Sequence, residues 1–352
     1  MTLMPRIVSA SLLAIATAAT PLCAEEKPPL TLDMGNGISV KLYGYVKADV
    51  TWDDNFDLGY STAAIKNIGL PSGPIPGSAN HQFMRESRIG FEVRRGDLLG
   101  RFEGDFFGDK GHLRLRLAYV EWQAILVGQN WTNYMSVAAL PPTVDFQGSG
   151  AQPFARVPQV RYSHDLNERV TLSASIEEDV GNEDDIALTA ASNWDFDHGM
   201  LRLSGIYRDA EISGNPVEGW GLAASTVLDL WRGGIFKGTL TTGSGTADIL
   251  GAGLKGPSLY LDGQTVDYWS GMLSLSQQVT DRLKLAVTTD LVQLNEAVGT
   301  DTKDLQTWHL SAFYELRKDT VVMAEWYTGR RTQANGIAFD NQRVQLAIKY
   351  SF

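Results

Sequence analysis

Divided by parity, the stretch Val40–Trp52 separates into two chemistries. Val40, Leu42, Gly44, Val46, Ala48, Val50 and Trp52 occupy the even positions, and Lys41, Tyr43, Tyr45, Lys47, Asp49 and Thr51 the odd ones. Side chains on a strand point alternately to its two sides, so this stretch predicts a strand with one apolar and one wet face. It is longer than the ~5–6 residues usual in globular sheets and suits a tilted membrane strand with an aqueous extension. The same rhythm returns in Leu113, Leu115 and Leu117 around Arg114 and Arg116, in Val170–Ile176, in Leu283–Leu291 and in Trp308–Tyr314. It also closes the sequence, where Val344, Leu346, Ile348, Tyr350 and Phe352 alternate with polar residues and Ala347. No comparable period of 3.6 appears.

Breaks in the rhythm place strands at 40–54, 82–94, 99–107, 112–122, 124–131, 157–164, 169–177, 186–195, 200–209, 219–229, 235–243, 267–278, 282–292, 304–316, 320–330 and 341–352. The connections alternate between tight polar turns and longer loops, the latter at 55–81, 132–156, 178–185, 210–218, 244–266, 293–303 and 331–340, with 108–111 a short exception. An even strand number, with turns at one end and loops at the other, predicts an all-β fold: a 16-stranded antiparallel transmembrane β-barrel over 40–352. Trp52, Tyr119, Trp194, Trp220, Trp269, Trp308, Trp326, Tyr350 and Phe352 fall near the ends of apolar faces, where aromatic girdles are expected. A soluble sandwich is disfavoured because it would hide these faces between two sheets.

Residues 1–24 read as a secretory signal peptide: Arg6 precedes the apolar run Ile7–Ala19, and Ala24 precedes the expected cut. A short N-terminal segment, 25–39, leads into the barrel. Cleavage would remove Cys23, the sole cysteine, and shift the net charge from -11 to -12, which argues against a nucleic-acid partner. Mean hydropathy is slightly negative, as expected where only alternate residues meet lipid. His81, His112, His164, His198 and His309 are scattered, without metal-ligand spacing or a phosphate-cradling motif. No cofactor, metal or enzymatic activity is therefore expected. His309 with Ser311 is the one pair a barrel hydrolase could use.

If the apolar parity meets lipid, the other lines a lumen. It carries Lys41, Lys47, Arg88, Arg94, Arg101, Arg114, Arg116, Arg161, Arg202 and Arg208, together with the acids Asp49, Glu86, Glu92, Glu103 and Asp105. Arg114 and Arg116 share one face of one strand and need anions or carboxylates to answer them. Either the wall is mutually neutralised, or a basic stripe faces the narrowest point and favours anions; Lys47, Arg88, Arg101, Arg114, Arg116, Arg161 and Arg202 are its candidates. Residues 132–156 form a long, charge-poor loop expected to fold inward as a constriction, with Tyr134, Asp145, Phe146 and Arg156 as its candidate positions and Asp145 opposite the arginines. The alternative is an external loop packed on a neighbouring subunit.

The strings RFEGDFFG (Arg101–Gly108), LRLRLAYVEWQAILVGQNWTNYM (Leu113–Met135) and PPTVDFQGSGAQPFARVPQVRY (Pro141–Tyr162) resemble the DcaP-like subfamily of porins. LYGYVKADVTWD (Leu42–Asp53) and RESRIGFEV (Arg85–Val93) resemble its first two strands, while the later half matches in general pattern only. The resemblance implies a homotrimeric Gram-negative outer-membrane porin that takes up organic anions such as dicarboxylates through an arginine-lined eyelet. Arg88, Arg101, Arg114, Arg116 and Arg161 are the matched positions. The helical coiled-coil segment of some members has no room between Glu25 and Val40. Lipid, lipopolysaccharide and small anionic solutes are the expected partners. A plugged structural or adhesion barrel and an outer-membrane hydrolase are the competing readings.

Overall fold

The structure, a computed structural model, describes residues 30–352; the segment expected to be a signal peptide, its expected cut and Cys23 lie outside them. Sixteen antiparallel strands close on themselves. They are β1 (Ile38–Asp54), β2 in two pieces (Ala79–Phe83 and Arg88–Arg95), β3 (Leu98–Asp105), β4 (Arg114–Trp122), β5 (Ile125–Trp131), β6 (Arg156–Asn167), β7 (Val170–Glu178) and β8 (Ile186–Phe196). There follow β9 (Gly199–Ile212), β10 (Asn215–Trp231), β11 (Gly234–Ser244), β12 (Asp267–Gln278), β13 (Leu283–Leu294), β14 (Thr302–Arg317), β15 (Thr320–Gln333) and β16 (Ala338–Ser351). Each pairs with its neighbours in sequence, and β1 meets β16 from Tyr45 opposite Ser351 to Asp54 opposite Gln342. Each expected strand has its counterpart. An added N-terminal strand, Thr31–Gly35, pairs back on β1.

The parity reading holds on the outer face. Trp52, Trp194, Trp220, Trp269, Trp308, Trp326, Tyr350 and Phe352 are between 40% and 47% exposed, as side chains meeting lipid must be. Tyr119 corrects the list: it is buried on the inner side. The cause is a β-bulge in β4, where Glu103 pairs with Leu117 but Gly104 pairs with Leu115, leaving Arg116 as the extra residue. Arg116 and Leu117 are consequently both buried, and the alternation inverts for the rest of the strand.

Two expected loops shrink. Instead of 210–218, strands β9 and β10 continue to Ile212 opposite Asn215, joined by Ser213 and Gly214 at φ 54° and 78°, the left-handed pair a two-residue hairpin turn requires. The loop expected at 331–340 narrows to 334–337. Strand β2, expected to be continuous, is interrupted at 84–87, and both pieces pair with β1.

Alternation assigns the mid-strand residue Leu222 to lipid and its neighbour Ala223 to the interior, and Leu222 is exposed. Leu222→Arg should therefore destabilise folding into phospholipid vesicles by about 2–4 kcal/mol, read by urea titration of the folded band on unheated gels. An unchanged midpoint would contradict the outward assignment.

Candidate functional site: the lumen and its constriction

Loop 132–155 folds into the barrel as expected, and polar wall residues explain why it stays there. Glu177 on β7 accepts hydrogen bonds from Thr132 Oγ1 at 2.5 Å and Asn133 N at 2.7 Å. Across the lumen, Glu325 on β15 accepts Val144 N at 2.7 Å and Asp145 N at 3.2 Å, and Asp290 on β13 accepts Gly150 N at 2.8 Å. Lys237 and Lys47 donate to the carbonyls of Leu140 and Val144 at 2.8 and 2.7 Å. A buried loop backbone needs such partners, because an unmet polar group costs about 1–3 kcal/mol. Inward Gly221 makes room for it: a Cβ there would meet Tyr134 Oη at 2.7 Å.

Two further loops fill the same side. Loop 245–266 runs against the constriction loop, with Phe154 N, Gly251 N and Ala252 N donating to Ile249, Gln152 and Gly150 carbonyls, each at 2.8 Å. Loop 55–78 carries a 3-10 turn, Thr62–Asn67, capped by Ser61, and Lys66 donates to Gly253 O at 2.9 Å. Burial, with Lys255 nearby, holds the Lys66 ammonium below the usual lysine range. Between these loops and the β2–β5 wall lies a cavity of about 410 Å³, lined by Arg88, Arg101, Glu103, Arg116, Trp131 and Phe146 among others.

The arginine stripe is largely answered by carboxylates. Arg114 Nε and Nη2 bind Asp105 at 3.0 and 2.8 Å; Arg116 binds Glu103 at 2.8 Å and Asp105 at 2.9 Å. Arg88 lies 3.5 Å from Glu103, and Arg101 lies 3.7 Å from both Glu92 and Glu103 while donating to Tyr43 Oη at 2.7 Å. Lys47 is buried between Asp49 and Glu86, as an anchor of the loop. Arg208, bridging Asp179 and Asp248, is a buried strut under loop 245–266, whereas the side chain of Arg94 is mostly exposed.

Three candidates have no carboxylate partner among the described residues. Arg156 packs its guanidinium 4.9 Å from the Trp131 ring centroid, with Nη1 unpartnered. Arg161 donates to Gln159 and the Trp131 carbonyl. Arg202 donates to Asn193 and Asn133 and is buried by the start of the loop. Phe146 stacks on Phe107 with centroids 4.4 Å apart and faces Arg114 and Arg116 at 5.5 Å. Tyr134 does not face the cavity; it is buried with Ala187, Ile206, Ala223 and Ile249. Asp145 borders the cavity, but its carboxylate accepts Thr62 N, Thr62 Oγ1 and Gln147 N and lies 3.5 Å from Arg343, so it ties two loops together.

His309 and Ser311 do not bond to each other. Both turn to Glu325, His309 Nδ1 at 3.1 Å and Ser311 Oγ at 2.7 Å, and so support the loop's anchor. Sequence reasoning missed Glu325, although an acid of inward parity between Met323 and Tyr327 was a readable signal. At the loop end, Asp53, Asp57 and His81 bring three ligand-type atoms together. Asp53 is already taken by Arg343, Asn341 and Leu58 N. The His81 ring bonds Asp57 at 2.7 Å and keeps that carboxyl below its ordinary range despite some burial.

Residues 24–193, about half of the chain, match the DcaP outer membrane protein family. Over those residues the chain belongs to that family. It is therefore a porin-type barrel of the Gram-negative outer membrane. Similar solved structures are the outer membrane channel DcaP of Acinetobacter baumannii, 21% identical with TM-score 0.81 over 91% of this chain and 99% of that one, and an anion-selective porin from Comamonas acidovorans, 14% identical with TM-score 0.65 over 90% and 100%. OmpT of Vibrio cholerae follows at 13% and 0.62, over 92% and 100%. No curated protein matches.

In this DcaP-family barrel, Glu325→Ala should remove two loop anchors at about 1.5–3 kcal/mol each. Single-channel recordings are expected to show a larger, noisier conductance; steps identical to the parent's would contradict the anchoring role.

Proposed function

We propose that the barrel is a diffusion channel with a preference for small organic anions such as dicarboxylates, which pass between the constriction loop and the β2–β6 wall. The observation that carries this reading is an imbalance in how the inward charges are satisfied. Glu177, Asp290 and Glu325 are buried and saturated by loop N–H groups, hydroxyls and one histidine. Arg156 and Arg161 are only half-buried and have no carboxylate partner among the described residues. On this reading anions entering the eyelet meet two guanidinium groups that no carboxylate answers, while these three acids are taken up by the loop. Guanidinium forks match carboxylates bidentately, and charged side chains at a constriction select by sign.

Within this proposal Arg156 and Arg161 bind the solute directly. Arg88, Arg101, Arg114 and Arg116 form a paired wall whose carboxylates can be exchanged for those of a solute, and Lys47, Arg202, Tyr134 and Asp145 hold the loop. Phe146 and Trp131 supply apolar faces at the narrowing.

A homotrimer, in contact with outer-membrane lipid and lipopolysaccharide, completes the proposal. Strands β3 and β5 have 8 and 7 residues, fewer than the ~9–11 a tilted strand needs to cross hydrocarbon, whereas β10 and β14 have 17 and 16. A wall too short for lipid is suited to cover by a second copy of the chain. Export by a cleaved signal peptide at 1–24 belongs to the same proposal. The inward packing of three loops favours one competing reading, a plugged barrel, which conductance separates.

Reversal potentials across a salt gradient test the sign. The channel is expected to prefer anions, and Arg156→Gln to lower the anion-to-cation permeability ratio by about threefold, since a unit charge ~6 Å from a passing ion contributes ~0.7 kcal/mol at the dielectric of water. Preferential cation passage would overturn the reading.

A further inference from the structure

We propose that Lys237, Lys284 and Lys349 form a second anion-binding station on the turn side of the constriction loop, which receives carboxylate groups leaving the eyelet. The inference rests on the anion preference proposed above and extends it to a separate site. All three lysines are of inward parity: each lies two residues from a buried inward neighbour, Thr239, Ala286 and Ala347 respectively. All three also lie close to the turn end, near Gly234, Leu283 and Ser351, where β11 and β13 begin and β16 ends. They therefore sit below the loop.

None has a carboxylate within ion-pairing distance among the described residues. The Lys237 ammonium donates to Leu140 O of the constriction loop at 2.8 Å. That of Lys284 lies 4.7 Å from the Phe313 ring centroid, and that of Lys349 lies 5.4 Å from the Tyr45 centroid. Contacts with aromatic faces are worth about 0.5–1 kcal/mol at accessible sites and do not neutralise a charge. The nearby Glu86 carboxylate is held by Lys47. Between Lys284 and Lys349 the wall is apolar, with Phe313, Val321, Met323 and Ala347 packed beneath Val144 of the loop.

This arrangement suits one chemical class: small organic anions with one or two carboxylates and a hydrocarbon portion that rests on the apolar wall. Lysine rather than arginine fits an exit. Its ammonium is strongly hydrated, sits on a flexible stem and binds as a point charge instead of a fork, and a conducting site must hold its ion weakly enough to release it. The station would draw anions out of the eyelet and slow their return.

The test uses full-length protein in planar bilayers with succinate as probe, added to each face in turn. The parent channel should show succinate-dependent current interruptions from the turn face. In the triple variant Lys237→Gln, Lys284→Gln, Lys349→Gln their frequency should fall at least about fivefold, with a smaller change from the loop face, while the Lys→Arg triple variant retains them. If the triple glutamine variant fails to fold, as judged by gel mobility before and after heating, Lys284→Gln alone should still lower the frequency. An unaltered frequency in a folded glutamine variant, or a parent without interruptions from the turn face, would overturn the station. A parent channel that prefers cations would instead sink the anion reading on which it rests.

Discussion

Backbone N–H and C=O groups have no water to bond in hydrocarbon, and each one left unpaired costs several kcal/mol. Every strand of this chain must therefore pair along both edges, and the first must find the last. The register between Tyr45 and Ser351, maintained to Asp54 and Gln342, meets that requirement. Once closure is imposed, the alternation of side chains leaves no freedom in what meets lipid and what meets the lumen. The basic wall of β2–β6 is inside because its apolar alternates must be outside.

The same requirement operates on the inner side and shapes the channel's charge. A loop of 132–155 inside a barrel carries backbone groups away from bulk water, and three acids supply much of what they need: Glu177, Glu325 and Asp290. Using carboxylates for this purpose removes them from the solute path. Basic side chains serve the loop through its carbonyls, and Lys237 does so without a carboxylate partner among the described residues. On the proposed reading, holding the loop and biasing the lumen toward anions come from one set of contacts.

Parity was enough to read the strands, their number, the outward aromatics and the inward basic residues. It failed where a local irregularity or a long-range partner decided the outcome. The bulge at Arg116 inverted the face of Tyr119 because nothing in LRLRLAY marks which residue is extra. The β9–β10 loop was shortened by Ser213–Gly214, a turn signal set among Asp209, Glu211, Asn215 and Pro216, which resembled a loop. Tyr134 was placed at the constriction by its loop membership, yet the space left by Gly221 on β10 draws it into the wall. Asp145 was expected opposite the arginines, but Thr62 and Arg343, distant in sequence, hold it. The neutralisation of Arg114 and Arg116 was one of two outcomes left open, and Asp105 and Glu103 on the neighbouring strand determine it.

Diffusion through this barrel requires a water-filled passage beside the inward-folded loop, and sizing that passage tests the requirement most directly. Conductance of the reconstituted protein in the presence of uncharged polymers of graded size should be finite. Only the smallest polymers should enter and lower it, because the cavity beside the loop is about 410 Å³. No current at all, or a conductance reduced equally by polymers as wide as an unobstructed 16-stranded barrel, would contradict it.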